Sequence, residues 1–206
     1  SRIIAAEAWW LSLGRHPFRA SPGPGSLGWI VCADLRAGWP NISRKMREIE
    51  PPGVLDERCK YDDARGYTFM GSKMVRTKRG SLIVGKSGTQ ELIALSGATI
   101  EWLLFDEVPK QAHFSEARSR LAVKGGPCIH TEGNPQTGED PREDWDIQRI
   151  ILSAENCPHR TPEDIDAQIA AYGPWEYQQR VLAKWVGVSA ERWIPGFTEA
   201  SVFDDD

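Results

Sequence analysis

Two periods of hydrophobic and polar residues alternate along this chain, and each change of period marks the edge of an element. Ile3, Ile4, Ala8 and Leu11 recur on one helical face from the first residues, Gly14 supplies a stop, and Pro17 lies just beyond. A loop rich in proline and glycine follows at 21–28, then an almost continuous apolar run at 28–34 (GWIVCAD). That run is the pattern of a strand covered on both faces. Residues 41–49 predict a helix closed by Pro51-Pro52, and 67–70 carry weak strand character ahead of a basic loop at 73–79. Strands are predicted at 81–84, 100–105, 128–131 and 149–152, with a helix at 115–123. Short buried strands alternating with helices predict an α/β domain with a largely parallel central sheet.

The character changes near Pro158. Thr161 reads as a helix cap, with proline at the first position and Glu163 and Asp164 in the first turn. This helix should run to Tyr172 and stop at Gly173-Pro174, with a second at 175–184. Residues 1–157 are therefore expected to form the sheet domain and 158–206 a small helical appendage. No internal repeat is visible.

Composition narrows the classes. The 206 residues suffice for one domain or slightly more, and 40% hydrophobic with 26% charged residues is a globular balance. No apolar run approaches the roughly eighteen residues that would span a bilayer, and no signal-peptide pattern opens the chain. Cys32, Cys59, Cys128 and Cys157 are scattered without metal-ligand spacing, which suits reduced thiols of a cytosolic protein. The net charge of -4 argues against a generally basic DNA-coating protein but leaves room for a local basic track.

The sharpest chemical signal is at 103–107 (LLFDE). An apolar strand places its terminal acid at the carboxyl edge of the sheet, where open α/β folds bind ligands. Phosphoryl transfer from a nucleotide needs one carboxylate to hold magnesium and a second to orient the attacking water. Asp106 and Glu107 fit a Walker B pair, with Val108-Pro109 ending the strand; a solvated strand terminus is the plainer alternative. Residues 80–87 (GSLIVGKS) match the P-loop spacing GxxxxGK[ST] literally. Their interior is a strand sequence, however, and Gly88 would break the helix that must follow, so this match is expected to be a decoy. The better place for a phosphate site is the start of the chain. The first helix begins at once, as a helix does after a P-loop. Ser1 would then be the Ser/Thr of a GK[ST] lying upstream, its hydroxyl on magnesium, with Arg2 beside it in the nucleotide site.

Residues 1–18 (SRIIAAEAWWLSLGRHPF), 28–36 (GWIVCADLR), 80–87, 131–135 (TEGNP), 176–185 (EYQQRVLAKW) and 193–197 (WIPGF) stand in a telling order around Asp106-Glu107. Ten residues separate Ser87 from Gly97 and nine more lead to Asp106. In this order and spacing the chain resembles the ATPase region of the large terminase subunit of tailed bacteriophages, the motor that packages DNA into procapsids. The resemblance covers nearly the whole chain. It implies a P-loop NTPase fold of the RecA/ASCE kind, ATP and Mg2+ as cofactors, and ATP hydrolysis as the activity. Asp106 would help hold magnesium and Glu107 would activate water. Thr131 and Asn134 would sense the γ-phosphate and couple its loss to motion. Implied partners are double-stranded DNA, the portal protein, the small terminase subunit and further copies in a ring, in the host cytoplasm and without a membrane. The glycine and lysine of the P-loop would precede Ser1, and a nuclease domain would follow Asp206.

The remaining candidates are cationic. Arg118 and Arg120 could supply an arginine finger, in cis or to a neighbour, although two residues apart they cannot share a helix face. Lys73, Arg76, Lys78 and Arg79 form the best basic track for DNA phosphates. The tryptophans are expected in the core. Asp204, Asp205 and Asp206 read as solvated acids. Two other readings remain open: a helicase-like DExx ATPase that remodels nucleic acid, and an inert docking domain of the same fold.

Overall fold

The computed structural model describes residues 2–107, 109–122, 125–131, 153, 158–172, 176–178 and 181–182. The chain divides into two compact units, Ser1–Glu132 and Gly133–Asp206.

In the first unit, helix α1 (Arg2–Leu13) buries Ile4, Ala5, Ala8, Trp9 and Leu11; of the face its periodicity predicts, Ile3 alone is exposed, because it lies in the first turn beyond the packed surface. Gly14 ends it in the left-handed region at φ 67. Strand β1 (Leu27–Cys32) is buried at every position after the first. Helix α2 (Leu35–Glu48) starts six residues before the expected 41. Asp34 caps it by accepting from the Arg36 N–H, at 2.9 Å, and Pro40, which cannot donate a helical hydrogen bond, is carried buried within the helix. A hairpin of β2 (Cys59–Asp62) and β3 (Gly66–Phe69) follows. The expected basic loop at 73–79 is in part a strand, β4 (Met74–Arg76), which pairs antiparallel with β5 (Leu82–Ser87). A 3-10 turn (Leu92–Leu95), β6 (Trp102–Asp106), α3 (Gln111–Ala122) and β7 (Cys128–Thr131) complete the unit.

The five-stranded sheet has the order β4-β5-β1-β6-β7, and β5, β1, β6 and β7 are mutually parallel. The predicted parallel α/β sheet is therefore present, with an antiparallel edge strand. Parallel partners face the same side, so Ile30, Ile83, Trp102 and Leu104 share the face packed by α1 and α2. Glycines let the tryptophans lie flat there: a Cβ on Gly28 would meet the Trp102 ring at 1.9 Å. The indole N–H groups of Trp9 and Trp39 donate to the carbonyls of Met46 and Tyr67, at 3.0 and 2.8 Å, so their burial leaves no orphan donor.

In the second unit, α4 (Pro162–Ala171) begins as expected, with Thr161 and Asp164 forming a reciprocal capping box. The strand expected at 149–152 lies outside the described residues, as does the helix expected at 175–184 apart from helical residues 176–178 and the described 181–182.

Candidate functional site

Four strands end together at the carboxyl edge of the sheet. Cys32 is in register with Ser87 on one side and Asp106 on the other, and Asp106 is in register with Thr131. Pairing and alternation put Ser87, Cys32, Asp106 and Thr131 in one row on the α1/α2 face. A hydroxyl, a thiol, a carboxylate and a second hydroxyl thus line the sheet end.

Asp106 is half-buried and Glu107 exposed. Among the described residues neither carboxylate has a hydrogen-bond or ion-pair partner, so no protein cation competes for them. The strand stops at Asp106 as Val108-Pro109 suggested. Glu107 then turns into the left-handed region, at φ 74, and its N–H donates to the Thr131 carbonyl at 2.8 Å. Thr131 also directs its hydroxyl to the Phe105 carbonyl, at 3.4 Å. Burial first, and the Asp106 carboxylate second, push the Cys32 thiol up to about 12. It is a packed group rather than a nucleophile.

Around this row the chain is tied down. The Gly88 N–H donates to the Cys32 carbonyl at 2.7 Å, which folds the segment after β5 across the end of β1. His113, near the start of α3, donates from Nε2 to the Gln90 carbonyl at 2.6 Å. Lys73 donates from Nζ to the Leu35 carbonyl at 3.0 Å, which brings one cation of the expected basic track to this edge.

The literal P-loop match is a strand. Its last six residues, 82–87, pair with β1, so their N–H groups serve the sheet ladder rather than a phosphate. Lys86 points to the opposite face, with Nζ 4.8 Å from the Trp29 ring centroid and donating to the Ala94 carbonyl at 2.8 Å. Burial lowers its pKa.

Other expected residues are scattered. Arg2 pairs with Glu48 of α2, at 2.8 Å. Arg76 is stacked on Phe69 and paired with Asp56, at 3.7 Å. Lys78 and Arg79 are exposed in the turn joining β4 to β5, at the end of β5 away from Asp106. Arg120 pairs with Glu116, and its carbonyl accepts from the Ile100 N–H, at 3.2 Å, just ahead of β6. Arg118 lies over Phe114, with its charge near Cys128 at the start of β7. The fold does not bring these two arginines to the Asp106 edge. Ser1, Asn134 and residues 204–206 lie outside the described residues.

Sequence reasoning did not single out Cys32, the inward Lys73 or the grip of Thr131 on Glu107. Each depends on which strands are neighbours, and no local pattern announces that.

Solved structures share this fold, two of which are similar over most of this chain. One is the large terminase from a thermophilic bacteriophage in crystal form 2, with a TM-score of 0.62 and 16% identity over 89% of this chain and 45% of that one. The other is the same terminase in complex with ADP, with a TM-score of 0.62 and 18% identity over 89% of this chain and 44% of that one. The chain thus spans a little under half the length of the structures it matches. The mostly parallel sheet flanked by helices is that of the large terminase ATPase fold. No protein-family model and no curated protein sequence matches the chain.

Proposed function

We propose that this chain is the ATPase domain of a terminase-type motor that moves double-stranded DNA into procapsids. The observation that carries the reading is the Asp106-Glu107 pair, without an ion-pair partner among the described residues, at the carboxyl edge of a central parallel strand. The shared fold with a terminase solved with ADP supports a nucleotide as the ligand.

In this reading Asp106 and the Ser1 hydroxyl would hold Mg2+, and Glu107 would orient and deprotonate the attacking water. One unpaired carboxylate fits that ion, because magnesium is held by one or two carboxylates, with water and substrate phosphates filling its other positions. When bound, Mg2+ would neutralise charge developing on the phosphoryl oxygens. Arg2 would have to leave its Glu48 partner to reach the nucleotide, and Thr131 and Asn134 link the site to motion. An arginine finger from Arg118 or Arg120 would act on a neighbouring copy, since both lie toward the far end of β6. Double-stranded DNA, the portal protein and the small terminase subunit are the proposed partners.

The test is ATP turnover by the protein with and without double-stranded DNA. Glu107→Gln keeps size and removes the base, and should lower kcat by at least about 100-fold. Turnover that persists unchanged would refute the reading. Lys86→Ala should leave nucleotide binding intact, because that lysine serves the opposite face of the sheet.

A further inference from the structure

We infer that Thr131 is a positioning residue for Glu107, acting through the backbone of β6 rather than by touching the nucleotide. This rests on the reading of Glu107 as the residue that activates water.

Glu107 is not a glycine, yet it sits at φ 74, where a Cβ crowds the backbone. Such a conformation persists only when its surroundings hold it. After Asp106 the chain must leave the sheet to reach the buried Pro109 and the start of α3. An extended Glu107 would continue along the sheet, with its side chain on the side of Phe105. The strand end from which it turns is held from β7. Thr131 accepts from the Glu107 N–H through its carbonyl, at 2.8 Å, and its hydroxyl donates to the Phe105 carbonyl, at 3.4 Å. It therefore grips the β6 backbone on both sides of Asp106, its own register partner.

Two consequences follow. The Thr131 hydroxyl directs its proton to the Phe105 carbonyl, so its contribution is to geometry. The end of β7 and the water-activating residue also move together, because a shift of Thr131 loosens the last ladder bond, which fixes where Glu107 leaves the strand. β7 thereby passes displacement to the site without contacting the reacting atoms.

The test uses the whole chain, with amide exchange at Glu107 read by NMR and ATP turnover measured alongside. Thr131→Val keeps the β-branched shape and the strand but loses the donor; Thr131→Ser keeps the donor. Thr131→Val should speed Glu107 amide exchange by about fivefold, the weight of one neutral hydrogen bond. It should lower kcat with little change in KM for ATP, while Thr131→Ser stays close to the parent in both. Unchanged exchange in Thr131→Val overturns the inference, as does a kcat loss in Thr131→Ser as large as in Thr131→Val. If exchange responds as expected while the parent chain turns over no ATP, the clamp stands and the ATPase reading fails.

Discussion

Left-handed backbone is uncommon outside glycine, and among the described residues it occurs at Met70 (φ 51) and Glu107 (φ 74). Met70 occupies a tight turn with Gly71, where hydrogen bonds between Phe69 and Ser72 close the loop. Glu107 adjoins the strand-end carboxylate. If it is strained, Glu107→Gly should be more stable than Glu107→Ala by about 1 kcal/mol in urea unfolding, since only glycine adopts this φ freely. Equal stabilities would mean that Glu107 is not left-handed in solution. Cys32 supports a prediction about pH. Its thiol is raised from 9.0 to about 12, so the folded state keeps the proton after the unfolded chain has released it. The stabilisation is complete below pH 9 and is lost as pH rises toward 12. Tyr67, raised by burial and then by Glu50, has the same sign. The urea midpoint should fall over this range, and less steeply in Cys32→Ala; an unaltered slope would place the thiol in contact with solvent.

At the level of elements, α2 carries a breaker in its interior and still forms from a capped start. Asp34 accepts from the Arg36 N–H and starts the helix before Pro40, whose ring is buried. Asp34→Ala should cost about 1 kcal/mol of stability, read by chemical denaturation, because the first-turn N–H groups lose their acceptor. A loss below a few tenths would mean that the helix starts later, nearer Asn41. Strands β1 and β5 each give up a side chain to a tryptophan. Gly28 lies beneath Trp102, and a Cβ on Gly85 would sit 2.5 Å from Trp39. Neither glycine is there for a turn; each makes room for close packing.

At the scale of the molecule, the four residues of the expected basic track are spread apart. Lys73 turns inward at the carboxyl edge, Arg76 is held by Asp56, and Lys78 and Arg79 stand exposed beyond the opposite end of β5. On the proposed function, removing both Lys78 and Arg79 should weaken binding of double-stranded DNA. It should also make the slope of log affinity against log salt shallower by about 2, near one unit per phosphate contact. Lys73→Ala should leave that slope unchanged. Fluorescence anisotropy over a salt series separates the two, and a slope that shifts only in Lys73→Ala would move the DNA path to the Asp106 edge. A net charge of -4 is compatible with such a localised site, because steering depends on where charge sits.

Burial, capping and strand ends were legible along the chain because each depends on neighbours within a turn or two. The apolar runs before Cys32 and Asp106 could only be strands covered on both faces, and both are. Thr161 with Asp164 could only open a helix, and α4 opens there. The decoy P-loop was recognisable for the same reason, since 82–84 (LIV) carries strand chemistry. Neighbour relations were not legible. The β2 strand (CKYD) has too few apolar residues to stand out and is defined by pairing with β3; β4 is a strand because β5 lies beside it. The site divides in the same way. The position of Asp106-Glu107 at a strand end is a local property, and the sequence alone determined it. The row with Cys32 and Thr131, the inward Lys73 and the left-handed Glu107 come from contacts between residues 24 to 74 positions apart. Only the tertiary structure decided those, because strand order and register are set by the packing of the whole sheet.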